Sequence, residues 1–212
     1  MLFAQSMPRA TFLPETRMTP KPISRFPVPD LASLPEDIRT KLVAVQAKAG
    51  FIPNVFLALA HRPEELRAFF AYHDALMLKE TGSLTKADRE MIVTTTSAKN
   101  NCLYCVVAHG AILRIYAKNP LVADQVAVNH LKADITPRQR AMLDFAVKVC
   151  RDSDQIGDAD YATLALHGFD AEDAWDITAI TAFFGLSNRM ANAISMRPNE
   201  EFFLMGRLPR SK

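Results

Sequence analysis

The chain lacks the features that mark membrane proteins and nucleic-acid-binding proteins. No apolar run approaches the roughly 18 residues that a bilayer-spanning helix needs, and the first ten residues hold no continuous apolar core of the kind a secretory signal requires. The chain has 25 lysines and arginines against 23 aspartates and glutamates, and no dense basic block occurs. We therefore expect no membrane and no nucleic acid among its partners.

Cysteine is also scarce, with three residues in a chain of 212. A small, odd number argues against a framework of structural disulfides and for a reducing compartment, so the expected location is cytoplasmic. The length suits one domain, or two closely packed halves, with enough residues for a hydrophobic core. Cys150 follows an apolar helical stripe, which predicts a buried core thiol rather than a resolving one.

Alternating strand patterns are absent as well, whereas apolar residues recur at helical spacing through most of the chain. The predicted fold is therefore all-α. Thr85 and Thr136 carry N-cap signals, and Gly82 and Gly168 are interpreted as helix ends. The predicted helices run from Pro63 to Gly82, from Thr85, from about Cys102 to Lys118, from Thr136, from near Asp158 to Gly168, and from about Ala171 to Met196.

Proline is concentrated at the start of the chain, where seven of the 13 prolines fall within the first 35 residues. Proline removes a backbone donor and disfavours helix at the residue before it. Residues 1–34 are therefore predicted to form a Pro-rich extended arm, followed by an all-α domain over residues 35–212. The arm is either a loosely ordered tail or a segment laid along a partner subunit.

Two segments of the sequence resemble each other. Residues 84–92 and 135–143 share a threonine, an arginine and a methionine in the same order, and each opens a predicted helix. This similarity predicts a duplicated helical unit. The second copy has Ala141 where the first has Glu90, and Ser153 where the first has Cys102. Only the first copy would therefore carry catalytic residues.

The most informative motif is Cys102-Leu103-Tyr104-Cys105-Val106-Val107-Ala108-His109. Its two thiols and one imidazole stand at i, i+3 and i+7, which is one face of a helix. Asn100 and Asn101 before it are good N-cap residues, so Cys102 is expected in the first turn, where free amides and the helix dipole favour a thiolate. His109 is four residues from Cys105 and can take a thiol proton. The motif therefore has the parts of a redox-active dithiol.

Other interpretations remain open from the residues alone. The cysteines can be small buried hydrophobes, or half of a zinc site for which only His109 lies near in sequence. His109 can equally be a structural histidine. Glu90 can be a solvated helix charge, because on one continuous helix it would lie about 18 Å from Cys102. The two can meet only if the chain reverses at Asn100-Asn101.

Glu90 followed, after eleven residues, by Cys102-x-x-Cys105-x-x-x-His109 resembles the signature of alkyl hydroperoxidase D-like (AhpD-like) proteins in the carboxymuconolactone decarboxylase superfamily. The peroxidase-related subgroup is the most similar, over roughly residues 26–207, including the helix opening at 84–90 and the run 187–192. The resemblance implies an all-α fold, frequent internal duplication and a homo-oligomer. The decarboxylase branch lacks the dithiol, which disfavours decarboxylation here.

By position, the resemblance implies a role for each residue of the signature. Cys105 would be the peroxidatic thiolate, Cys102 the resolving thiol, His109 the adjacent base and Glu90 its orienter. Alkyl hydroperoxidase D itself has histidine just before the second cysteine, where this chain has Tyr104. A phenol can donate a hydrogen bond but does not titrate near neutral pH. Tyr104 is therefore expected to support the catalytic residues through a hydrogen bond rather than to transfer a proton itself.

The leading hypothesis is a thiol-dependent peroxidase that reduces an alkyl hydroperoxide or another peroxide without haem, flavin or metal. Its dithiol would cycle through sulfenic acid and disulfide, and a dithiol reductant or redox partner protein would restore it. The alternative is a thiol–disulfide oxidoreductase or redox sensor that acts on a protein partner without peroxide turnover. A third interpretation is an oligomeric helical scaffold in which the cysteines only pack.

Overall fold

The computed structural model describes residues 21–207 and has the all-α fold that the sequence predicts. Those residues form ten α-helices and three short 3-10 turns, with no strand among them. The α-helices are α1 (Glu36–Ala49), α2 (Asn54–Leu59), α3 (Pro63–Met77), α4 (Lys86–Lys99), α5 (Leu103–Ala117), α6 (Val122–Asn129), α7 (Pro137–Arg151), α8 (Asp158–Leu166), α9 (Ala171–Ala193) and α10 (Glu201–Leu204).

The predicted Pro-rich arm falls only partly within the described residues, because residues 1–20 lie outside them. Between residues 21 and 34 the regular structure is one 3-10 turn, Leu31–Ser33. Arg25 N–H donates to the Ile194 carbonyl at 2.8 Å, and Arg197 N–H donates to the Ile23 carbonyl at 3.0 Å. This stretch therefore runs along the segment that follows α9, while the division of the chain at residue 35 stays a prediction.

Helix α4 occupies the centre of the fold and packs against α5, α6, α7 and α9. Ten consecutive residues, from Asp88 to Ser97, are buried, so the helix has no solvent-facing side over that length. It begins with a capping box in which Thr85 Oγ1 accepts the Asp88 N–H at 3.0 Å and Asp88 Oδ2 accepts the Thr85 N–H at 3.1 Å. Since these bonds satisfy amides that a helix start leaves free, they fix where α4 begins.

Helices α4 and α7, which open the two similar sequence segments, have the same local structure. Thr85 and Thr136 each form a capping box. Arg89 and Arg140 each donate through Nη1 to a backbone carbonyl at the end of the preceding helix, at 3.0 Å and 2.8 Å. These matching contacts support the duplicated helical unit that the sequence predicts.

Two predicted helix ends are wrong by several residues. Helix α3 ends at Met77, and Gly82 lies beyond it in a turn with φ of +91°. Helix α9 ends at Ala193 rather than at Met196, because Ser195 takes a left-handed φ of +56° and the Met196 N–H folds back to the Ala191 carbonyl at 2.9 Å. Both ends are set by the turn that follows the helix, which apolar spacing does not reveal.

The largest apolar core cluster lies between α4, α6, α7, α8 and α9, and a second surrounds the start of α5. A third joins α1, α2 and α3. Among the helices of residues 21–207, none is both long enough and apolar enough to cross a membrane.

Substitution within α8 is a direct test of the core. Leu164 is 2% exposed and belongs to the largest core cluster, whereas Leu166, two residues on, is 86% exposed. We expect Leu164→Ala to lower the free energy of unfolding by about 2–5 kcal/mol, because it removes buried methyl groups and leaves a cavity. Leu166→Ala is the matched control, with an expected change below about 0.5 kcal/mol. Equal midpoint shifts of the two variants in urea denaturation would contradict this packing.

Candidate active site

A tight chain reversal between α4 and α5 brings the residues of the signature together. Asn100 caps α4, and Asn101 takes a left-handed φ of +52°, a conformation that asparagine tolerates better than most residues. The Cys102 N–H then donates back to the Ser97 carbonyl at 3.0 Å. Helix α5 consequently folds back along α4, which is the reversal that a contact between Glu90 and the motif requires.

Cys102 is the N-cap of α5 and not a residue of its first turn, which corrects the sequence-based expectation. Its Sγ accepts the Cys105 N–H at 3.3 Å. Asn101 cannot take the capping position because its left-handed backbone forms the reversal itself. A sulfur that accepts a free helix-start amide is well placed to hold negative charge.

The two thiols are reduced, buried and coupled to each other. Cys102 is 0% exposed and Cys105 is 1% exposed. The hydrogen bond from the Cys105 thiol, followed by that from the Cys105 amide, lowers the pKa of Cys102 to about 7. The same hydrogen bond, together with burial, raises the pKa of Cys105 well above its usual value. The two thiols therefore titrate as a pair, with the lower pKa at Cys102.

Glu90 and His109 meet across the reversal. His109 Nδ1 lies 2.7 Å from Glu90 Oε2, and both side chains are mostly buried. A carboxylate can only accept, so Nδ1 carries the proton and Nε2 is the nitrogen that remains to exchange one with another group. The Phe184 ring packs edge-on to the imidazole, with 4.7 Å between ring centroids. This packing and the carboxylate hold the imidazole in one orientation.

A second histidine, which sequence reasoning passed over, lies near this pair. His73 of α3 also packs edge-on to Phe184, with 6.4 Å between ring centroids, and its Nδ1 is 3.0 Å from Asp74 Oδ1. Burial lowers the pKa of His73, and the charge of His109 adds to that shift. In the sequence, only its position in the apolar stripe of α3 indicated that His73 would be buried near other functional side chains.

Tyr104 takes part in a different contact. Its hydroxyl accepts the Val55 N–H at 3.1 Å, at the start of α2. Burial raises the pKa of Tyr104, so the phenol stays neutral. Within the described part of the chain it makes no hydrogen bond to Glu90 or His109, and its hydroxyl serves to anchor α2 against α5.

Helix α9 supplies two residues beside the dithiol that the sequence motif does not contain. Ser187 Oγ lies 3.9 Å from Cys105 Sγ, and the fully buried Asn188 side chain donates to Ser97 Oγ and accepts from Asn100 Nδ2 at the chain reversal. Both residues belong to the run 187–192 that contributed to the family resemblance. That run was the only signal that could have found them, because about 85 residues separate them from the cysteines.

Cys150 is half-buried, so the prediction of a buried core thiol is wrong. Its thiol points at the chain reversal and donates to Asn100 Oδ1 at 3.6 Å. Partial burial still raises the pKa of Cys150. It is therefore protonated at neutral pH.

A mainly apolar cavity of about 710 Å³ opens beside the dithiol, between α2, α3 and α9. Ser187 belongs to its wall, and its Oγ lies 3.9 Å from Cys105 Sγ, so the Cys105 sulfur lies behind this part of the wall and does not itself line the cavity. Arg62 and Glu65 lie at its polar edge. Most of the remaining wall is apolar or aromatic: Phe26, Val55, Ala58, Leu59, Ala68, Phe69, Tyr72, Ala182, Phe183, Leu186, Met190, Ile194 and Met196.

The zinc interpretation of the cysteines finds no ligand set in residues 21–207. Over that range, no group of three or more histidine, cysteine, aspartate or glutamate side chains is placed to hold a metal ion.

Comparison with known proteins gives a family match and close structural matches. Residues 63–120 match the model of the carboxymuconolactone decarboxylase family. A crystal structure described as alkylhydroperoxidase AhpD core, an uncharacterized peroxidase-related protein from Ralstonia eutropha JMP134, is 74% identical, with a TM-score of 0.89 over 90% of this chain and 100% of that one. An uncharacterized peroxidase-related protein from Silicibacter sp. TM1040 is 40% identical, with a TM-score of 0.84 over the same shares.

A more distant structure, the debrominase Bmp8 without ligand, is 19% identical and has a TM-score of 0.69 over 87% of this chain and 95% of that one. At that identity it shares the fold alone. No curated protein matches the sequence significantly.

The opposite pKa shifts of the two thiols predict a two-step thiol titration. Thiolate absorbance at 240 nm of the reduced protein should rise through a midpoint of about pH 7, where Cys102 ionises, and rise again well above the ordinary cysteine value of about 8.5. In Cys105→Ala the first midpoint should move up by more than about half a unit, because the donor to the Cys102 sulfur is lost. Cys150→Ser is the control and should leave it in place. A Cys105→Ala midpoint still near 7 would contradict the coupling.

Proposed function

The chain belongs to the alkyl hydroperoxidase D-like proteins of the carboxymuconolactone decarboxylase superfamily, and from that premise we propose that it is a thiol-dependent peroxidase. The observation that carries the proposal is the 2.7 Å Glu90–His109 hydrogen bond, which joins α4 to the helix whose start carries the reduced dithiol. A thiolate supplies the nucleophile and an oriented imidazole supplies proton transfer, which together are what peroxide reduction requires.

In the first step Cys105 attacks the peroxide. Its proton passes to the Cys102 sulfur or to His109, and the Cys105 thiolate forms a bond with the nearer peroxide oxygen while the O–O bond breaks. The leaving alkoxide takes a proton and departs as an alcohol, and Cys105 becomes a sulfenic acid. We assign the attack to Cys105 because Ser187, its 3.9 Å neighbour, also lines the cavity through which a peroxide would arrive.

In the second step Cys102 resolves the sulfenic acid. Its sulfur attacks the Cys105 sulfur, the S–S bond forms, and the hydroxyl group leaves as water after taking a proton. A dithiol reductant or redox partner protein then transfers two electrons by thiol–disulfide exchange and restores both thiols. A reducing compartment such as the cytoplasm maintains such reductants.

The burial of both sulfurs favours peroxide over a protein disulfide as the oxidant. With exposures of 0% and 1%, neither sulfur is within reach of a disulfide on the surface of a folded partner. A hydroperoxide is small enough to enter the cavity, and its apolar wall suits an organic substituent. The alternative, a redox sensor or oxidoreductase acting on a protein, predicts a single oxidation by peroxide without turnover.

Homo-oligomer formation is a further part of the proposal. Large apolar side chains remain exposed along α6 and the turn after it, namely Leu121, Val128 and Leu131. Their exposure supports self-association of this chain.

The assignment of the two sulfurs can be tested with single substitutions. Cys105→Ser should abolish peroxide consumption in the presence of dithiothreitol, because it removes the sulfur that attacks the peroxide. Cys102→Ser should consume about one equivalent and accumulate sulfenic acid on Cys105, detected by dimedone labelling and mass spectrometry. Cys150→Ser is the control and should turn over like the parent. Full activity in Cys105→Ser, or a single oxidation without turnover in the parent, would overturn the proposal.

The contribution of the carboxylate can be measured separately. Glu90→Gln keeps the size of the side chain and an acceptor for His109 but removes the charge, so we expect the second-order rate with cumene hydroperoxide to fall at least about tenfold. Glu80→Gln, on the surface beside Lys86, is the matched control and should change the rate less than about twofold. Stopped-flow mixing of the reduced variants gives both rates, and equal rates would remove Glu90 from the mechanism.

A further inference from the structure

Ser187 of α9 is a buried polar residue in the wall of the mainly apolar cavity. It is 7% exposed, and its Oγ lies 3.9 Å from the Cys105 sulfur behind the wall. The other polar side chains of that wall are all exposed: His61, Arg62, Glu65 and Tyr72. The Ser187 hydroxyl is therefore the polar group that a molecule deep in the cavity meets, on the side where the sulfur lies.

The Ser187 hydroxyl does not form the hydrogen bond that the other hydroxyls of α9 form. A serine or threonine within a helix can donate to the carbonyl four residues before it, as Thr178 and Thr181 do, both at 2.8 Å. Within residues 21–207 the Ser187 hydroxyl forms no such bond, and its polar contact is with Cys105 Sγ. It is therefore available to the sulfur.

Ionisation of Cys105 would fix the direction of this contact. Between a hydroxyl and a neutral thiol either atom can donate, but a thiolate can only accept. Hydrogen bonds to a charged group are shorter than those between neutral groups, and catalytic hydrogen bonds are often long before the substrate binds. We therefore expect the 3.9 Å separation between Ser187 Oγ and Cys105 Sγ to shorten when the thiolate forms.

A negative charge on Cys105 requires a donor because its surroundings are apolar. Cys105 is 1% exposed and belongs to an apolar cluster with Ala108 and Ala191. An anion in such surroundings is costly unless it accepts hydrogen bonds. The side chain of Asn188, next to Ser187 in the chain, forms its hydrogen bonds at the chain reversal instead.

We propose that Ser187 is a catalytic residue whose hydroxyl donates to the Cys105 thiolate and then to the peroxide oxygen that departs. The inference rests on the proposed function for the peroxide step, whereas donation to sulfur does not require peroxide chemistry. Reacting atoms approach to about 3–3.5 Å before a bond forms. A peroxide oxygen at that distance from Cys105 Sγ can also lie within hydrogen-bonding reach of Ser187 Oγ.

The hydroxyl would follow the negative charge as it leaves the sulfur. A thiolate lone pair forms the S–O bond, the O–O bond breaks, and its electron pair moves to the departing oxygen. Rotation about the Cβ–Oγ bond lets the Ser187 O–H turn from the sulfur to that oxygen. The departing oxygen takes the proton that Cys105 passed to Cys102 or His109, so Ser187 keeps its own.

The donation to sulfur can be measured in a protein whose sole thiol is Cys105, made with Cys102→Ala and Cys150→Ser. Thiolate absorbance at 240 nm then gives one midpoint. Ser187→Ala should raise this midpoint by at least about 0.5 pH unit, because the thiolate loses a donor. Ser187→Thr keeps the hydroxyl and should stay closer to the parent. Alanine is a better helix former than serine, so Ser187→Ala is expected to fold.

Thr178→Val is the matched control. It removes a hydroxyl from the same helix, but one that donates to the Ala174 carbonyl rather than to sulfur. We expect it to move the midpoint by less than about 0.2 pH unit. An unchanged midpoint in Ser187→Ala, or an equal rise in Thr178→Val, would overturn the inference.

The peroxide step can be measured by stopped-flow mixing of the reduced three-cysteine protein with cumene hydroperoxide. Ser187→Ala should lower the second-order rate at least about tenfold, because it removes a donor to developing charge. Thr178→Val should change the rate less than about twofold, since its hydroxyl is engaged with the backbone. If Ser187 were only a barrier between cavity and sulfur, the smaller alanine would react as fast as the parent or faster, which would contradict the catalytic role.

The two measurements separate failure of this inference from failure of the proposed function. Peroxide turnover in the parent, with neither midpoint nor rate changed in Ser187→Ala, would reject the inference alone. A raised midpoint in Ser187→Ala, with no peroxide turnover in the parent, would reject the proposed function and retain Ser187 as the donor to Cys105.

Discussion

The left-handed turn at Asn101 is the constraint on which the site depends. It turns the chain back within two residues, so that α5 lies against α4 and a carboxylate twelve positions before Cys102 comes within reach of His109. The same turn makes Cys102 the N-cap of α5, which supplies the amide that its sulfur accepts. Asn188 and Asn192 of α9 both hold the turn through Asn100. Carboxylate, imidazole and sulfur are therefore positioned by one reversal.

The features that the sequence predicts well are those that depend on residues close together in the chain. The capping boxes at Thr85 and Thr136 need only four consecutive residues, and both form. Helical periodicity sufficed for the all-α class, and the Cys102–His109 spacing placed the thiols and imidazole on one helix. The cap signal at Asn100-Asn101 indicated where the chain could reverse, but the contact of Glu90 with that helix required the family resemblance, because a cap signal does not show how two helices pack.

What the sequence could not predict depends on contacts between distant segments. Ser187 reaches Cys105, and Asn188 reaches the chain reversal, only because α9 packs across α4 and α5. Which thiol has the lower pKa depends on the hydrogen bonding of the pair and on burial, and neither can be inferred from spacing. Tyr104, on the cysteine helix itself, anchors α2 instead because the Val55 amide lies beside it. The end of α9 at Ala193 also could not be predicted, because it is set by the following turn, in which the Met196 N–H donates back to the Ala191 carbonyl.

The complete burial of α4 from Asp88 to Ser97 has a consequence for how the protein loses its structure. A helix enclosed on every side cannot fray or open on its own, so its amide protons exchange with solvent only when the whole domain unfolds. Glu90 lies within that enclosed stretch, and its geometry therefore persists as long as the fold does. Warming should remove the carboxylate from the imidazole and melt the surrounding helices in one cooperative transition, without a partly folded form in which the site alone has come apart.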